Sequence, residues 1–318
     1  MNSNQKMKRK VIKLGQGGNV ISLPKSWIDK KGIKTGDEID ISEVNEDLLV
    51  SSTSRKKQEI ELILNEKNKN DIKAILTHLY RMGYDSIKLT EIDNQNLKEI
   101  EEIVSTLLLG FEITKSGTTE CLIENVSEPA ENKYESLLGK ILIIIAETHK
   151  IINENFKKEE FKDIVEIEKM KNQSDKLVLF CRRVLTKEIY RKNRVTQWEL
   201  LTFLMHIQHT YYYLYQYISN SKTKTDKKII SLFIDLGNYL SLFNEAYSKK
   251  DINRIHEINS LKSKFQFGEC LKAIEESKGK NAVILSEIKE IYRLIQISTS
   301  PILSEVLKEK YSSNNHIF

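Results

Sequence analysis

The sequence predicts an α+β chain of several domains: a small β-rich N-terminal segment, an α/β segment behind it, and a long all-helical region. Residues 9–53 alternate with the period of strands and are interrupted by Gly-rich turns. Residues 58–128 switch between strand-like and helix-like apolar patterns. From Pro129 onward, apolar residues recur only at helical spacing. These shifts place the boundaries at 1–57, 58–128 and 129–318. A chain of 318 residues is too long for one ordinary core, and 3 Pro and 12 Gly offer few breaks to long helices.

In the first segment four strands are expected: Arg9 to Leu14, Val20 to Leu23, Glu38 to Ser42 and Leu48 to Ser52. Gly17-Gly18-Asn19 supplies the positive φ values of a tight tip. Alternation puts Lys10, Ile12 and Leu14 on one face of the first strand and Arg9, Val11 and Lys13 on the other, so one face can pack while the other presents cations. Pro24 opens a helical turn over Lys25 to Lys31 that Gly32 closes, and Lys34-Thr35-Gly36-Asp37 turns into the third strand. So few residues build little core alone, which argues for a dimer.

The second segment reads as βαβαββ: strand 60–64, helix 70–81, strand 86–90, helix 97–109, then strands at PheGluIleThr and GluCysLeuIleGluAsnVal. A small open sheet with helices on one face follows. Six helical spans complete the chain, at 131–157, 160–190, 195–219, 226–248, 251–276 and 281–310, and suggest two three-helix bundles in tandem.

The net charge of +5 is unevenly spread. Residues 1–34 hold nine Lys or Arg against Asp29, a balance of +8, so the rest of the chain carries 5 − 8 = −3. A positive field at one end favours a polyanionic partner, with a solvated lysine-rich tail as the plainer alternative. Cys121, Cys181 and Cys270 are isolated, which argues against a disulfide framework or zinc site and for a reducing cytoplasm. Ile141 to Ala146, the longest apolar run, is far short of the ~20 residues of a membrane span, so no membrane insertion is expected.

ArgLysValIleLysLeuGly, GlyAsnValIleSerLeuProLysSerTrp and GlyIleLysThrGlyAspGluIleAspIle together resemble the AbrB/MazE/SpoVT domain. The resemblance implies a dimeric swapped-hairpin β-barrel that binds double-stranded DNA. TyrArgMetGlyTyrAsp (80–85) and LeuLeuGlyPheGluIle (108–113) resemble the linker of archaeal proteins that join such a domain to a PhoU domain. SerAspLysLeuValLeuPheCysArgArgValLeu (174–185) resembles the second-helix pattern of PhoU, the helical regulator of phosphate uptake. That resemblance implies a link to phosphate homeostasis, with a phosphate transporter or sensor as partner.

PhoU domains bind metal through carboxylates four residues apart. At the matching positions this chain has Lys171 with Asp175 and Met205 with His209, so each pair lacks a carboxylate and no metal or other cofactor is expected. The weak candidates are Asp175, His206 and His209; two imidazoles without a third fixed ligand make a poor site. Tyr211, Tyr212, Tyr213, Tyr215 and Tyr217 cover several helix faces, so some should be exposed, as at interfaces, with half-buried packing as the plainer reading. No catalytic motif is present and no enzyme is expected. The expected function is DNA-binding regulation of transcription by a cytoplasmic homodimer, with Lys6, Lys8, Arg9, Lys10, Lys13 and Lys25 on the phosphates. The alternative is a cytoplasmic adaptor of a phosphate-transport complex whose β module only dimerises.

Overall fold

A computed structural model describes residues 7–15, 17–44, 47–52, 57–127, 133–188, 193–221 and 225–312. The chain divides into two compact units, Met1–Lys56 and Lys57–Phe318. In the first, β1 (Ile12–Leu14) pairs antiparallel with β2 (Gly18–Val20), and β3 (Ile39–Val44) with β4 (Asp47–Ser52). Helix α1 (Lys25–Lys31) lies between the hairpins in sequence, follows Pro24 and ends on Gly32 at φ +67°, as its punctuation predicts. The Lys34–Asp37 turn also forms: Asp37 N–H donates to the Lys34 carbonyl at 3.1 Å and Lys34 N–H to Asp37 Oδ2 at 2.7 Å.

The barrel is the expectation that fails. β1–β2 and β3–β4 remain separate two-stranded sheets, and no described sheet closes on itself. β1 and β2 pair only from Ile12↔Val20 to Leu14↔Gly18, too short a ribbon to tilt and wrap as closure requires. Both faces of the hairpin stay in solvent, with Ile12 57% and Leu14 65% exposed, so the packing face is not packed within the chain. The positive φ near the tip falls on Gly15 at +59°, not on Gly17 or Gly18. The swapped-hairpin barrel, and with it the AbrB/MazE/SpoVT and PhoU resemblance, is therefore corrected to a pair of open hairpins joined to an α+β body.

The second unit opens with β5 (Glu59–Ile63), α2 (Ile72–Arg81, entered through a 3-10 turn), β6 (Ser86–Thr90), α3 (Asn94–Leu107), β7 (Phe111–Ser116) and β8 (Glu120–Asn125). The sheet order is β5-β6-β8-β7, with β5 and β6 parallel and the other pairings antiparallel. The βαβαββ reading holds. Ile87, Leu89, Cys121 and Ile123 face the core with Ile72, Leu76, Leu79, Ile100 and Val104 from the helices. Asp93 caps α3 by accepting from the Gln95 and Asn96 amides at 2.8 and 2.7 Å.

The helical region comprises α4 (Tyr134–Lys158), α5 (Ile164–Lys187), α6 (Arg194–Ser221), α7 (Lys227–Lys249), α8 (Ile252–Lys264), α9 (Cys270–Glu276), α10 (Lys280–Ile297) and α11 (Thr299–Ser312). A π turn, Phe265–Glu269, joins α8 to α9. The last expected span breaks at Ser298. Pro301 has no N–H to give the Ile297 carbonyl, and at the break the Ser298 and Thr299 hydroxyls donate to the Leu294 and Gln296 carbonyls. The helices do not separate into two tandem bundles: α4 also packs on α7, and α6 on α10, across one shared core.

Helix α5 also packs against α2 and α3, making the bundle a third layer over the sheet and its helices. Arg183 of α5, 2% exposed, fixes that junction. Nη1 donates to the carbonyls of Tyr80 at 3.0 Å and Tyr84 at 2.6 Å, and Nη2 to Asp85 Oδ1 at 2.9 Å. The guanidinium stacks over Phe111 at 4.7 Å and Tyr80 at 5.2 Å. Lys187 adds a second cation on Asp85 Oδ1 at 2.5 Å. Gly83, at φ +95°, lets α2 end in a left-handed turn against this contact. Burial pushes the Asp85 pKa up, but bonds from Lys187 and the Gln58 amide and the charges of Lys187 and Arg183 outweigh it, so the net shift is downward.

Inside the bundle His149 stacks on Phe233 at 4.5 Å and bonds the Tyr211 hydroxyl through Nδ1 at 3.1 Å. Gly237 leaves room for that ring, since a Cβ there would lie 2.5 Å from His149 Nε2. Burial holds the His149 pKa down at about 4.

Replacing Asp85 with Ala removes the carboxylate from a buried guanidinium and is expected to cost about 3 kcal/mol in urea unfolding. Pairing Arg183→Met with Asp85→Leu should recover part of that loss. Because the folded Asp85 pKa is depressed, its stabilisation is full above the unfolded carboxylate range and lost as pH falls through the folded value. His149 acts higher on the scale. Its folded pKa of about 4 lies below an unfolded value of about 6.5, so stability should fall by about 3 kcal/mol between those two pH values. His149→Phe should flatten that slope in unfolding curves taken across the window.

Candidate nucleic-acid interface

The cations expected to meet DNA stand on the first unit. Lys8, Arg9 and Lys10 precede β1, Lys13 lies within it, and Lys25 begins α1. All five are exposed, and none has a salt bridge to a described residue. Lys6 lies outside the described residues. Lys30 and Lys31 at the end of α1 are exposed too, as is Lys34 in the turn that follows, so residues 7–34 hold eight cations against Asp29.

Local structure spaces these groups in known ways. Alternation along β1 separates Lys13 from Ile12 and Leu14, and the pairing Lys13↔Asn19 puts an uncharged residue opposite that cation. Apolar residues are as exposed as the charges: Val11 is 65%, Ile21 51%, Ile41 61% and Leu48 69% open to solvent. No described residue of the first unit is fully buried.

The weak metal candidates lie elsewhere, in the bundle. Asp175 on α5 and His209 on α6 are brought together, His209 Nε2 lying 2.7 Å from Asp175 Oδ1. The other Asp175 oxygen is 3.3 Å from the Lys171 ammonium, which itself lies over the Tyr212 ring at 5.5 Å. His206 is exposed and forms no bond to Asp175; its pKa is lowered by burial first, then by His209 and Arg182. Among the described residues no three His, Cys, Asp or Glu side chains converge as a metal site. The arrangement is an ion-paired polar patch whose carboxylate is already occupied by a cation.

The tyrosine run divides as a helix must. Tyr211 and Tyr215 are buried, whereas Tyr213 is 52% exposed. The Tyr215 hydroxyl accepts from Asn155 Nδ2 and from the Asp163 amide, both at 2.8 Å, and so ties α4 to the start of α5. Sequence reasoning assigned no role to Arg81, Asp85, Arg182 or Arg183. The available signal was a pair of arginines inside the apolar run of α5, where a charged residue needs a partner.

No described helix is long and apolar enough to cross a membrane. Comparison with protein-family models, with curated proteins and with solved structures finds no match for this chain.

Proposed function

We propose that this chain is a double-stranded DNA-binding regulator of transcription that works in the cytoplasm as a homodimer. The observation that carries the reading is the set of exposed cations on the first unit, Lys8, Arg9, Lys10, Lys13 and Lys25, with no salt bridge to a described residue, in residues 7–34, which hold one carboxylate side chain. Such a surface neutralises duplex phosphates and releases their counterions, so affinity falls steeply with salt. Phosphate contacts position a protein without reading bases, and sequence preference would come from few side chains and from DNA shape.

Dimerisation supplies what the first unit lacks. Ile12, Leu14, Ile41 and Leu48 are exposed on hairpins too small to bury them. A second copy offers the same apolar groups in a self-complementary contact and doubles the cations along the duplex. The expected link to phosphate uptake stood on the family resemblance, and none of these residues carries it.

Fluorescence anisotropy of the full chain on duplex DNA across a salt series tests the reading. Binding should show a steep salt slope, and Arg9→Ala with Lys13→Ala should flatten it by roughly two, about one per lost phosphate contact. Absence of binding at low salt by folded protein would reject DNA contact and favour the adaptor role. For the dimer, Leu14→Asp should yield monomer in sedimentation analysis and weaken DNA binding; an unchanged dimer would place the subunit contact elsewhere.

A further inference from the structure

Arg182 and Arg183 are neighbours on α5 in opposite surroundings. Arg183 faces the α/β layer and binds Asp85. Arg182 faces α6 and forms no ion pair with a described residue. Its Nη2 donates to Thr202 Oγ1 at 2.8 Å, Nη1 lies 3.9 Å from Met205 Sδ, and the guanidinium sits 5.3 Å over the Trp198 ring. Its Nε is buried without a hydrogen-bond partner, and the side chain is only 4% exposed. A guanidinium cannot shed its proton, so burying one beside neutral groups leaves an uncompensated cost.

A second arginine adds to that charge. Helix α2 meets α5 at its C-terminal end, where Tyr80 and Tyr84 carbonyls accept from Arg183, and Arg81 follows Tyr80 directly. The Arg81 guanidinium lies against the His78 ring, 2.9 and 2.8 Å from its two nitrogens, with no salt bridge to a described carboxylate. Burial, and then the charge of Arg81, pull the Arg182 pKa down to about 10. Burial followed by Arg81 and Arg182 lowers that of His78. Asp175 opposes this at Arg182, but its own oxygens already face His209 and Lys171. His206, one helical turn beyond Thr202, is exposed at the same face of α6.

We propose that the junction of α2, α5 and α6 binds a small oxyanion, held by Arg182 and Arg81 with His78 and His206 at its edge. Arginine forks match two oxygens of phosphate, sulfate or a carboxylate, and the bonds are charge-assisted. An anion here would offset the buried charge and tie α2 of the α/β layer to α5 and α6 of the bundle. The site lies in the second unit and does not depend on the DNA reading.

The test is thermal unfolding and titration calorimetry of the full chain with inorganic phosphate, sulfate and acetate, against chloride at constant ionic strength. A saturable rise in Tm is expected with at least one oxyanion, and the anion that acts identifies the chemistry preferred. The response should persist in Arg9→Ala/Lys13→Ala, which excludes anions bound at the N-terminal cations. Arg81→Gln should weaken the apparent affinity by about 10-fold or more, the loss of one charged hydrogen-bonding group. Arg182→Met removes the buried charge while keeping its apolar reach, and should fold and lose the saturable response. Oxyanions that act no more than chloride on the unaltered chain, or equally on the Arg81 and Arg182 variants, would overturn the site.

Discussion

A buried guanidinium has to find acceptors, and in this chain that requirement holds the α/β layer to the helical bundle. Arg183 enters the core from α5 and, where α2 ends, meets the Tyr80 and Tyr84 carbonyls and Asp85 together. A left-handed Gly83 turns the chain just past α2 so that both carbonyls reach Arg183, the Tyr80 oxygen accepting from the Gly83 N–H as well. The rings of Tyr80 and Phe111 complete the cradle. Hydrophobic contact alone would let two layers slide; a fork-shaped donor with fixed partners defines one register.

The same rule of polar satisfaction orders the bundle. His149 with Tyr211, Asn155 with Tyr215 and Gln208 with Thr148 bridge helices that are otherwise joined by apolar side chains. Each pair restricts how α4 and α6 can rotate, since a buried donor or acceptor left unmade costs more than a made bond contributes. Arg182 is the exception, buried one residue from Arg183 without an ion pair to a described carboxylate.

The first unit follows a different logic. None of its described residues is fully buried, isoleucine and leucine are exposed on both hairpins, and residues 7–34 concentrate eight cations against Asp29 alone. Under the proposed function, phosphates would meet the charges and a second copy the apolar groups. The larger unit has a core of its own, and there the polar network sets the arrangement.

The order of helices and strands was largely legible in residue order. Periodicity and punctuation are local: α1 between Pro24 and Gly32, the turn at Gly36, and the βαβαββ succession each depend on a few neighbouring residues. The basic cluster was legible for the same reason, since charge is counted along the chain. Closure of the hairpins into a barrel was not, because it depends on strand pairing between distant segments, and the three-residue β1–β2 ribbon pairs with no strand of the β3–β4 hairpin. The Asp175–His209 contact and the merging of the helices into one core likewise join residues far apart in sequence. Composition and local pattern determined which elements form and where charge lies. Only the tertiary structure decided which arginine of the α5 pair finds a carboxylate, because that choice depends on which helix each of two adjacent side chains faces.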